Sequence, residues 1–209
     1  MFTDILRDVL ETIYNNPDVL EEQHTDMKKK LHLQCGGGQS SGNQATFHEA
    51  AFAHLLEQYE IPYTYQVGGT QRAGDFRVVD PETGRAYDFD LKHTNGMNYY
   101  LNDGTHEDGV IYVVSFTHKK EHKCLIAYGE DIMTAKDKTA IEKRRALLRT
   151  INEQDADTDF LRLYVRSANQ YSCKQFTSDF LEDRFTKVVT SLFAPSAPQT
   201  EQEPHSQSV

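Results

Sequence analysis

The order of elements that the sequence predicts is helices, three strands and a central strand with its neighbour, then helix, strand, helix. That is an α/β protein whose mixed β-sheet is flanked by helices. Three observations carry this reading. Apolar residues recur at helical spacing near both ends, with Ile5, Leu6, Val9, Leu10 and Ile13 at one and "SDFLEDRFTKVVTSLF" (178–193) at the other. Between residues 63 and 94 the period shortens to two. Then "VIYVVSF" (110–116) runs almost unbroken through β-branched and aromatic residues, as a strand covered on both faces does.

Taken in order, residues 4–15 form a helix that Asn16-Pro17 ends, and a weaker helix covers 17–33. "CGGGQSSGNQ" (35–44) is a loop. Thr46 opens the next helix, and Glu49 three residues on completes a capping box, with Ala50, Phe52, Ala53 and Leu56 toward the core. "YTYQV" (63–67) and "DFRVV" (75–79) read as strands, "DPETG" (80–84) as a tight turn and "AYDFDLKHT" (86–94) as the returning strand, so 75–94 is a hairpin. "KCLIAYG" (123–129) neighbours the central strand. A helix over 131–152 carries Lys136, Lys138, Lys143, Arg144, Arg145 and Arg149. A strand over 160–167 and a helix over 178–193 with Ser178 as N-cap close a single domain, 1–193, and 194–209 has the composition of a disordered tail.

With 209 residues, 38% apolar and 26% charged, the chain is long enough for one well-cored globular domain. A formal net charge of -10 excludes a global basic field, though a local basic patch can still bind phosphate. Three cysteines without a CxxC pair point to a reducing compartment with no disulfide framework. The acidic, amphipathic N-terminus is no signal peptide and no apolar run matches a bilayer, so the expectation is a soluble cytoplasmic protein with no membrane partner.

In "YDFDLKHTNG" (87–96), Asp88, Asp90 and Lys92 share one strand face, opposite Tyr87, Phe89, Leu91 and His93. Asp75 opens the other arm of the hairpin, so a short turn brings Asp75, Asp90 and Lys92 together. Two carboxylates on adjacent strands can converge on a hard divalent ion, and a lysine on the same face can reach a water or a phosphate. That combination suits phosphodiester hydrolysis. The competing reading is a solvated hairpin face with a weak surface ion pair. For Glu49 the capping box is a sufficient explanation by itself, and both roles can hold.

"GDFRVVDPETGRAYDFDLKHT" resembles the PD-(D/E)xK nuclease motif, with Gly74 where that family often has proline. Glu49 matches an extra acid that many members carry on the preceding helix, and "NYYLNDGTHEDGVIYVVSF" is similar to a stretch of several type II restriction endonucleases. The resemblance covers residues 43–130. It implies a restriction-endonuclease-like mixed β-sheet core, with Asp75 and Asp90 ligating Mg2+, Glu49 as a further ligand or an acid behind the ligands, and Lys92 as the catalytic lysine. Asp88 falls one pleat too early for the motif. The implied activity is Mg2+-dependent cleavage of double-stranded DNA at a short specific site by a homodimer, in a prokaryotic cell or a virus-infected host. Two alternatives stand beside it: a structure-specific repair, recombination or phage nuclease of the same fold, and a non-enzymatic acidic interaction module.

Other motifs carry less. The Gly-rich loop lacks the Gly-Lys-Ser/Thr ending of a phosphate loop, although its amides suit adenine edges as well as they suit a linker. A calcium loop at "DFDLKHTNG" fails because Lys92 occupies a ligand position. His118, His122 and Cys124 have zinc-like spacing but no second cluster, and a turn between strands accounts for them. Basic residues of the 131–152 helix either contact phosphates or form a solvated face.

Overall fold

The computed structural model describes residues 1–34, 45–66, 74–102, 105–154 and 168–194. It is a mixed α/β architecture around a five-stranded sheet of order β1-β2-β3-β5-β6. Strands β1 (Tyr63–Tyr65), β2 (Phe76–Val79) and β3 (Ala86–Thr94) form an antiparallel meander, β5 (Val110–His118) lies parallel to β3, and β6 (Glu121–Tyr128) is antiparallel to β5. Strand β4 (Asn98–Asn102) leaves this sheet and pairs with β7 (Ala168–Ser172) in a separate two-stranded ribbon that the sequence pattern does not announce.

The N-terminal helix α1 (Phe2–Asn15) buries Phe2, Leu6, Val9, Leu10 and Ile13 along one stripe. Pro17 then starts a 3-10 turn, Pro17–Glu21, where its missing N–H costs nothing. The weak helix expected over 17–33 is thus this turn plus α2 (Thr25–Gln34). Helix α3 (Phe47–Gln58) starts on the anticipated capping box: Thr46 Oγ1 accepts from Glu49 N at 3.1 Å, and the Glu49 carboxylate accepts from Thr46 N. The helix expected over 131–152 is instead a short α4 (Gly129–Ile132) and a separate α5 (Ala135–Gln154) that carries all six basic residues, with Thr134 Oγ1 accepting from Asp137 N at the second start. The last helix, α6 (Ser178–Leu192), is capped by Thr177, not Ser178, because Thr177 holds the extended backbone that lets its hydroxyl accept from Phe180 N. The Gly-rich loop, the strand expected over 160–167 and the chain beyond 194 lie outside the described residues.

Two turns set the register. At 80–84, Asp80 accepts from Glu82 N at 2.9 Å and from Thr83 Oγ1 at 2.7 Å, and Gly84 takes φ +72, so Phe76 pairs Phe89 and Arg77 pairs Asp88. Between β5 and β6, Lys119 and Lys120 both adopt positive φ, the backbone of a two-residue hairpin loop.

Strand β5 is buried from Val110 to Phe116, and its residues alternate between two cores. Ile111 and Val113 join α1, α3 and the inner residues of β2 and β3, with the Phe52 ring against Phe76 at 5.1 Å and Phe89 at 5.4 Å. Val110, Tyr112, Val114 and Phe116 join Tyr99 and Leu101 of β4 with Ile132, Phe176 and Leu181 on the other face. Both faces are covered, as its unbroken apolar run requires.

Candidate active site

Phe76 opposing Phe89 extends one step to set Asp75 across from Asp90. Asp75 continues the ladder with its own N–H to the Phe89 carbonyl, 2.7 Å away, and its Oδ2 accepts from Leu91 N at 2.7 Å. On the other side, Asp90 stands beside Tyr112 in the parallel β3–β5 pair. Asp90 is thereby only 6% exposed, flanked by strands on both sides. Lys92, two residues on, projects from the same face and donates to Asp90 Oδ1.

Electrostatics tie these groups into one unit. Burial pushes the Asp75 carboxyl up to about 7, helped by the Asp90 charge and, more weakly, by Glu49. Asp75 is partly exposed as a residue, yet its carboxyl is enclosed by protein atoms, and the enclosure governs its proton affinity. Asp90 is also raised by burial, against the pull of Lys92 and a Gly74 backbone donor. For Lys92, burial disfavours the charge, but Asp90, Asp75 and Glu49 together outweigh it and raise its pKa. Glu49 arrives from the first turn of α3, 8% exposed, where capping and closeness to the site coexist.

Asp88 is explained by its neighbour on β2. Arg77 Nε donates to Asp88 Oδ1 and an Arg77 terminal nitrogen to Asp88 Oδ2, both at 2.7 Å, so a bidentate cross-strand pair occupies this acid. It stands outside the Asp75–Asp90–Lys92 unit.

Aromatic residues that the sequence did not single out lie near Asp90. Tyr99 of β4 donates to or accepts from His106 Nε2 at 2.7 Å, and the His106 ring meets Tyr112 edge-on at 4.7 Å. Burial, with the Lys92 charge second, pushes His106 down to about 3, so the ring is neutral. Burial raises Tyr99 and Tyr112, and the nearby Asp90 charge adds to both. No periodicity marks these three residues; only the fold assembles them.

On the opposite face of β3 lies a second group. Among the described residues, the one set of three donor atoms mutually within 4.8 Å is Glu21, His48 and His93. Glu49, Asp75 and Asp90 do not form so tight a set: Glu49 reaches back to Thr46 and Asp75 to Leu91 N. The His48 and His93 rings stack at 3.6 Å and 21°. Burial, then the neighbouring His48, lowers the pKa of His93. Their sequence signal is adjacency, since His48 precedes Glu49 and His93 follows Lys92.

Compared with known families, curated proteins and solved structures, the chain matches none.

Proposed function

We propose that this protein is a Mg2+-dependent deoxyribonuclease of restriction-endonuclease type, cutting double-stranded DNA at a short specific site as a homodimer. The observation that carries the reading is the buried charge imbalance beside β3: Asp90 and Glu49 both act on Asp75, and all three acids act on Lys92, the cation closest to them among the described residues. Like charges gathered out of water oppose folding unless something is gained. With their protons released, three carboxylates against one ammonium would leave two negative charges uncompensated, which suits a hard divalent cation with oxygen ligands.

Asp75 and Asp90 are the residues that would hold the ion, with Glu49 as a third acid close by at its cap position. When bound, a divalent ion supplies Lewis-acid stabilisation to a scissile phosphate. Lys92, anchored on Asp90, directs its ammonium at charge that develops on the phosphate oxygens. The Tyr99–His106–Tyr112 wall limits water around Asp90 and strengthens each of these interactions. The family motif gives the chemistry its name, and the same four residues support it: Glu49, Asp75, Asp90 and Lys92.

The test is plasmid cleavage with Mg2+. Discrete fragments support a site-specific enzyme, nicks or smears support a structure-specific nuclease, and an intact plasmid overturns the nuclease reading. Asp90→Ala and Lys92→Ala are expected to abolish cutting with the fold retained by circular dichroism. Cutting that survives either change places the chemistry elsewhere.

A further inference from the structure

The Glu21–His48–His93 set joins three elements: the 3-10 turn after α1, the first turn of α3 and the end of β3. Glu21 Oε1 lies 3.1 Å from His48 Nε2 and 3.3 Å from His93 Nδ1. His93 Nε2 donates to Asn95 Oδ1 at 3.0 Å, which leaves the ring's lone pair on Nδ1. Nδ1 also lies 2.9 Å from the hydroxyl of the buried Ser115, a hydrogen bond that an ion on Nδ1 would replace. Glu21 Oε1 is thus shared by one nitrogen of each ring, and the three donor atoms all lie within 4.8 Å of one another.

We propose that Glu21, His48 and His93 bind a borderline divalent transition metal, with zinc as the representative ion, separately from the hard-ion site on the other face of β3. Two imidazoles and one carboxylate are the donors that such ions take, and harder Mg2+ prefers all-oxygen surroundings. The spacing fits: ligand distances of about 2.0–2.2 Å put tetrahedral ligands about 3.3–3.6 Å apart, against the 3.1 and 3.3 Å present here. Asn95 holds the outer nitrogen of His93 as metal-bound imidazoles are commonly held. The stacked rings must open from their 21° tilt to aim both lone pairs at one point. The side chains of Glu21, His48 and His93 are 33%, 18% and 22% exposed, so an ion can enter and water can fill a fourth position. The bound ion clamps the 3-10 turn and α3 onto β3.

The experiment titrates metal-free protein with Zn2+ in excess Mg2+ by isothermal calorimetry, with Tm measured in parallel. One equivalent of zinc per chain is expected, with a rise in Tm, and at least tenfold weaker binding in His48→Gln and in Glu21→Gln. Should His48→Gln fail to fold, Glu21→Gln decides, since that carboxylate is the most exposed of the three. His54→Gln, whose ring instead stacks on His24, is expected to bind zinc as the wild type does. Asp90→Ala separates the two readings: it disables the proposed nuclease centre and is expected to leave zinc binding unchanged. No zinc binding, binding that survives Glu21→Gln, or binding lost in Asp90→Ala overturns the proposal.

Discussion

Replacing Asp75 by asparagine should make the metal-free protein more stable while removing its proposed activity. The carboxyl is held at about 7 in the fold, against about 3.9 for an unperturbed aspartate, a difference of about three pKa units. Because the folded value is the higher one, the native state carries the extra proton between about pH 4 and pH 7. Stability falls as the pH rises through that window and levels off above it. At about 1.4 kcal/mol per unit the full cost at pH 8 has an upper bound of about 4 kcal/mol. An asparagine keeps an oxygen for the Leu91 N–H and never ionises. The expected gain is about 2–4 kcal/mol at pH 8, shrinking toward zero as the pH approaches 4. Urea unfolding of both proteins in EDTA across that range measures it. An Asp75→Asn variant no more stable than wild type at pH 8, or a gain independent of pH, would refute the reasoning.

Other changes probe neighbouring parts of the same framework. Asp88→Ala breaks a pair whose side chains are 28% and 42% exposed, so it should cost less than about 1 kcal/mol and leave plasmid cleavage untouched, unlike Asp90→Ala. Gly129→Ala places a Cβ 2.1 Å from the Glu107 carbonyl oxygen, and the backbone shift it forces should cost about 1–3 kcal/mol in thermal or urea unfolding. His106, held neutral down to about pH 3, contributes stability present above its unfolded value near 6.5 and lost as the pH falls toward 3. His106→Phe should therefore gain on wild type step by step over that acidic range, as denaturant midpoints will show.

Local pattern made much of this legible. Strand β3 spans Ala86–Thr94, the range the alternation predicts, because Tyr87, Phe89 and Leu91 need one buried face and the turn at 80–84 fixes the pairing. Asp75 and Asp90 meet across that same short ribbon, so a register argument reaches them. The β4–β7 ribbon was beyond reach, since "ANQYS" (168–172) has no apolar alternation and its partner lies about seventy residues earlier. The Thr177 cap differs from the expected Ser178 by one residue, a distinction that only backbone dihedrals make. Glu21, His48 and His93 come from three elements, and their convergence depends on how the N-terminal turn packs against α3 and the sheet.

Strand β3 thus serves as a partition wall with different furniture on each side. A single inserted or deleted residue between Tyr87 and Lys92 would rotate everything downstream by half a turn, sending lysine toward the histidines' compartment and histidine toward the acids. Length changes of that kind should be far less tolerable there than any conservative replacement of one side chain.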